Sequence, residues 1–279
     1  MIDRMYRLAA ACLCLAVTAT LLSAQQAQYT PAPGAELLHR PLDQILDVNV
    51  RDGFVYYRAL KGERGRLDRY IASLNVTPAT YDGWSKRQQM AFWVNAYNAF
   101  VLATVINHYP MPGNIKQVPG AFDKTTWRAA GKTVTLDQIE KTILPEFKEP
   151  RLYLALGRGG VGSGRLRSEA YTGDRLDAQL ADIQAEFVND RHMYRLDRLA
   201  NTIAVTPILS WREAEFTAAY AGQADPVFAQ RSPVERALIA FVTPHLLPSE
   251  KELVRTNEFK VTFLAMDWRL NDLTGGRVE

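Results

Sequence analysis

The chain has 279 residues, 47% of them apolar and 23% charged, and its formal net charge of +3 is spread rather than clustered. That balance excludes a nucleic-acid footprint and leaves enough apolar material for one sizeable core. Both cysteines, Cys12 and Cys14, fall near the start of the chain, and the four histidines, His39, His108, His192 and His245, have no metal-ligand spacing, so neither a metal nor a cofactor is expected.

Residues 1–24 have the layout of a secretory signal. Arg4 and Arg7 precede an apolar run from Leu8 to Leu22, and Leu22-Ser23-Ala24 ends it on small residues. Cleavage after Ala24 predicts an exported protein, periplasmic or extracellular, with lipidation at Cys12 as the alternative to free secretion. The run is short for a membrane span, and no later segment approaches about 20 uncharged apolar residues, so no span is expected in the mature chain. A mature chain without cysteine has no disulfide, no thiolate metal site and no cysteine nucleophile.

Residues 25–40 read as a flexible leader, and 41–279 as a single α+β domain, helix-rich in its first half, with a small and mostly antiparallel sheet. Leu42 to Val48 and Gly65 to Leu74 are short helices. From Met90 to Ile106 an apolar run without Gly or Pro covers nearly every angle of a helix, which predicts burial on most sides. Asn95 and Asn98 interrupt it, three residues apart. A buried amide left unpaired costs about 1 to 3 kcal/mol, so each must clamp a neighbouring backbone segment or line a site wall.

Trp127 to Thr135 reads as a small hairpin turning into a helix, with Thr135 and Gln138 as a capping box and Pro145 as the stop. Arg151 to Leu156 is a strand candidate, followed by a glycine-rich loop, Gly157 to Gly164. Leu176 to Val188 is an amphipathic helix, and Tyr194 to Leu196 and Ile203 to Val205 are strands. Ser232-Pro233 and Ser249-Glu250 start two more helices. Phe259, Val261 and Phe263 alternate with polar residues in a half-buried strand that leads to Asp267-Trp268.

Several segments together resemble the domain of unknown function 547 family. They are Phe92-Trp93-Val94-Asn95-Ala96-Tyr97-Asn98-Ala99, Leu136-Asp137-Gln138-Ile139-Glu140, Glu149-Pro150-Arg151-Leu152, Leu166-Arg167-Ser168-Glu169-Ala170-Tyr171, Leu176-Asp177-Ala178-Gln179-Leu180, Phe187-Val188-Asn189-Asp190 and Asp267-Trp268-Arg269-Leu270-Asn271. The likeness runs from about Trp84 to Asn271. It implies a fold distantly similar to papain-like peptidases and transglutaminases, and thiol chemistry in members that keep two histidines and two cysteines. This chain has Lys141, Tyr153, Arg158 and Ser163 at those four places. A thiolate forms near neutral pH whereas a serine hydroxyl needs a strong positioned base, so the exchange predicts a cleft that keeps its shape without the original reaction.

Three readings of the site follow. Non-catalytic binding of a peptide, a cell-wall fragment or a protein partner would use the loop residues Arg158, Gly159, Gly160 and Arg165, with Asn95, Asn98, Glu140, Tyr153, Asp267 and Trp268 around them. A serine-based hydrolase or acyl transferase would pair Ser163 with Lys141, whose amine would have to be held neutral. The third is a purely structural envelope protein. The loop also contains the string G-x-G-x-x-G, but no alternating βαβ pattern surrounds it, so a dinucleotide site is not expected. Its glycines fit either a tight loop with close backbone packing or a cradle for an anion. Asp267 fits an aspartate bonded to backbone amides, or one that orients a base or receives an Asn amide.

Overall fold

The computed structural model describes residues 34–111 and 113–274; the segment 1–33, where the export signal and most of the leader are expected, lies outside the described residues. Residues 35–40 are helical rather than leader, because Ala35, His39, Leu42, Ile45, Leu46 and Asn49 form one buried stripe of helix α1 (Ala35–Asn49). A hairpin of β1 (Val50–Arg51) and β2 (Phe54–Val55) follows. Its turn is Asp52-Gly53, both at positive φ (51° and 84°), the geometry two-residue hairpins favour. Helices α2 (Tyr57–Gly62), α3 (Arg64–Ser73) and α4 (Pro78–Asp82) lead to the core element, with Thr77 capping α4.

That core element is α5 (Lys86–His108), 23 residues started by a capping box in which Ser85 and Gln88 bond each other's backbone N–H. It is buried all round from Ala91 to Ile106, with α1, α2 and α3 against it. By length and composition it could cross a membrane, more than the sequence pattern had allowed, yet 94% of its apolar window is buried inside the molecule. Burial of Phe92, Trp93, Tyr97 and Phe100 on this one rod contributes on the order of 1.5 to 3 kcal/mol each.

The predicted hairpin forms from β3 (Trp127–Ala129) and β4 (Lys132–Val134), and Thr135 with Gln138 closes the expected capping box. Pro145 does not end the helical stretch. It sits within a 3-10 turn, Leu144–Phe147, and Lys148 at a φ of 55° ends it. The predicted strand over residues 151–156 is instead a 3-10 turn, Pro150–Leu154, with Glu149 capping the N–H of Arg151. A proline at the first position and a side-chain cap outweigh the apolar run, which on its own fits either conformation.

Helix α6 (Leu176–Phe187) precedes a three-stranded sheet in the order β5 (Tyr194–Asp197), β6 (Thr202–Val205), β7 (Lys260–Phe263). The first pair is antiparallel and the second parallel, joined through α7 (Glu213–Tyr220), α8 (Pro233–Val242) and α9 (Pro248–Arg255). Ser232 caps α8 as expected, while α9 starts one residue earlier than expected, at Pro248. β7 is a more exposed edge than its alternation predicts, with Phe263 45% exposed. The architecture is an α+β single domain, helix-rich, with small and mostly antiparallel sheets.

Candidate functional site

Asn95 and Asn98 sit one turn apart on α5, and both amides are spent on backbone. Asn95 donates to the carbonyl of Tyr171 at 2.8 Å and accepts from the Tyr171 N–H at 2.9 Å. Asn98 donates to the carbonyl of Ala155 at 3.1 Å and accepts from the Gly157 N–H at 2.8 Å. One helix thus holds both ends of the glycine-rich segment, 157–171. The two residues position the loop, each with its buried amide paired to backbone at both ends, and neither lines the cavities described below.

Between those clamps the loop pairs with the closing motif. Val161 donates to the carbonyl of Arg269 at 2.9 Å, Gly162 to that of Asp267 at 2.8 Å, and Asn271 to that of Gly159 at 3.2 Å. The glycines exist for this approach. A Cβ on Gly162 would lie 2.6 Å from the Asp267 nitrogen, and one on Gly164 would lie 2.1 Å from the Leu154 carbonyl oxygen. The Asp267 carboxylate accepts from the Arg269 guanidinium and backbone N–H, which hold it below the usual range. Trp268 packs beside Gly160, stacked 6.4 Å from Trp211 with Lys116 5.0 Å over its ring.

Arg158 turns inward rather than toward a ligand. Its Nη2 donates to Glu140 Oε1 at 2.7 Å and its Nε to Oε2 at 3.1 Å, while Nη1 donates to the carbonyls of Tyr153 at 3.1 Å and Leu156 at 3.2 Å. Tyr97, between the two asparagines in sequence, donates to Glu140 Oε2 at 3.1 Å. Arg158 is 2% and Glu140 9% exposed. Burial pushes the Glu140 carboxyl up, but the Arg158 guanidinium and the Tyr97 hydroxyl more than offset it and hold the group below its ordinary value. Glu140 reaches this position from a wide turn, Ile139–Ile143, in which the Leu144 N–H bonds the Ile139 carbonyl. Arg212 covers the outside, 4.2 Å over the Tyr153 ring, and also donates to the Glu140 carbonyl; the Tyr153 hydroxyl donates to Glu215 at 3.2 Å.

Three of the four exchanged positions, Tyr153, Arg158 and Ser163, therefore meet in one buried cluster. The Ser163 hydroxyl donates to the Gly160 carbonyl at 2.7 Å and accepts from the Arg158 N–H at 3.1 Å, fixing the turn. The fourth leaves. Lys141 Nζ bonds Asp137 at 2.6 Å with its side chain 62% exposed, because the turn that aims Glu140 inward aims its neighbour outward. No hydrogen bond joins Lys141 to Ser163 among the described residues, so the expected dyad is not assembled.

The loop's other side is open. Gly160, Ser163, Gly164 and Arg165 border a cavity of about 540 Å³ whose apolar lining includes Leu154, Val161, Ile183, Phe187 and Met193. Asp52, Gly53, Arg165 and Glu186 are shared with an adjoining cavity of about 480 Å³. Arg191 and His192 are shared with a third, of about 630 Å³, which also takes in Gly162, Arg195, Asp267 and Arg269. The three cavities adjoin one another along the loop through these shared residues, and are together called the groove below. Sequence reasoning missed Tyr97, Arg212, Arg191 and His192, although the last two directly follow the Phe187-Val188-Asn189-Asp190 motif.

Fold and site together define an α+β domain built on one buried helix, with a sealed ion pair behind a glycine loop and an open groove in front. Residues 81–188 match the family described as Protein of unknown function, DUF547. The match holds α5, the Glu140 turn and the glycine loop, but stops short of Asp267-Asn271, where the likeness was expected to end. No curated protein and no solved structure matches the chain.

Proposed function

We propose that this is an exported, non-catalytic member of its family that holds an elongated ligand, a peptide or a peptide-bearing cell-wall fragment, in the groove across the glycine loop. The carrying observation is the Arg158–Glu140 pair. It fills the place where relatives are expected to keep thiol chemistry, and its partners engage both carboxylate oxygens and all three guanidinium nitrogens. A charge pair so enclosed is costly to open and offers no nucleophile. An apolar cavity with a few polar groups on its rim, by contrast, is what a binding site needs. A serine hydrolase has less support, because the Ser163 hydroxyl is tied to the Gly160 carbonyl and Lys141 is at the surface. A purely structural envelope role would leave the groove without a use.

Thermal unfolding of the purified protein with short peptides and cell-wall peptide fragments tests this, alongside a serine-reactive phosphonate. The expected result is a rise in Tm of a few degrees with saturating ligand, without turnover and without labelling. Phosphonate labelling that disappears in Ser163→Ala would overturn the non-catalytic reading. Export is checked separately, by a mature N-terminus at Gln25.

A further inference from the structure

The groove is not electrically uniform. Its third cavity gathers Arg191, Arg195 and Arg269 around a single carboxylate, Asp267, which is already engaged by Arg269. Arg195 lines the cavity and spends its Nε on the Arg191 carbonyl at 2.7 Å, and no acidic side chain pairs with Arg191 or Arg195 among the described residues. At the opposite end, Asp43, Asp47, Asp52, Glu169 and Glu186 face Arg51, Arg165, Arg167 and Arg175, and Asp52, Glu169 and Glu186 are each paired with an arginine. Between them lies the mainly apolar cavity. A ligand lying along this path meets paired charges, then apolar walls, then two unpaired guanidinium groups.

Resting on the binding function proposed above, we infer that the arginine end receives a free carboxylate, so that the groove binds short peptides by their C-terminus with the last apolar side chain in the central cavity. Guanidinium forks match the two oxygens of a carboxylate, and Asp267 and Asp190 beside them oppose a more highly charged phosphate group. Gly164 and Arg165 are lining residues of the central cavity, and their N–H groups donate to no protein acceptor among the described residues, which leaves them free for peptide carbonyls. A protein C-terminus and the stem peptide of a cell wall present the same group, the first with an L residue and the second with a D residue last.

The test is fluorescence anisotropy on the purified protein with labelled four-residue peptides ending in an apolar residue, each as free acid and as C-terminal amide, in L-terminated and D-terminated forms. The free acid should bind about tenfold tighter than the amide at low salt, with a gap that narrows as salt rises. Arg191→Ala with Arg195→Ala, both exposed and so safe for folding, should bring the acid down to the level of the amide. The L or D form that shows the larger gap identifies the source of the carboxylate, and either one supports the inference. Equal binding of acid and amide to the unaltered protein would overturn the carboxylate end while leaving a peptide groove; no binding of any peptide would overturn both.

Discussion

Arg158 and Glu140 lie 18 positions apart in sequence and form the most deeply buried ion pair among the described residues. Arg158→Leu leaves a carboxylate buried without its partner and should cost about 3 to 5 kcal/mol in denaturant unfolding, whereas Arg158→Leu with Glu140→Leu should recover part of that loss. Losses that simply add would show that the two groups are uncoupled. His39 gives the pH dependence its sign. It is buried against Tyr70, 2.8 Å from the hydroxyl, and against the Phe92 ring, and burial pushes its imidazole from 6.5 down to about 3. The unfolded chain then binds a proton that the folded one refuses, so the stability is fully present above about pH 6.5 and declines as pH falls toward 3, by at most about 1.4 kcal/mol per unit. The Tm of His39→Gln, followed from pH 7 to 4, should fall less steeply than that of the unaltered protein.

Among the elements, the two clamps from α5 decide the loop. Asn98→Ala strands the Gly157 N–H and the Ala155 carbonyl and should cost about 2 to 4 kcal/mol, with faster hydrogen exchange confined at first to 157–171. Exchange that speeds up evenly over the whole chain would mean the loop is not separately held. The asparagines were legible as bonded groups because an apolar helix has no other use for an amide, and the capping boxes at Thr135 and Ser232 because their spacing is local. The turn at Pro150–Leu154 was not legible as such, since a short apolar run fits a strand equally well. Nor could spacing show that one wide turn sends Glu140 inward and Lys141 outward, which separates the expected pair. The groove was the least legible feature, because its walls come from residues near 52, 160, 190 and 269 and no local pattern joins them.

For the molecule as a whole, the stretch matched to the family, 81–188, is not a self-sufficient body. Its long helix is covered by α1, α2 and α3, and its loop is paired with 267–271. Expressed alone, 81–188 should lack a cooperative melt and near-ultraviolet circular dichroism, while 34–279 should show both; a sharp transition in the short fragment would contradict this. The pairing of the loop with residues 267–271 also sets an order of manufacture. A ribosome releases the helices, the clamps and the loop first, and the backbone of 267–271 comes after every other wall, so the cavity beside Asp267 stays unfinished until nearly the whole chain has been made.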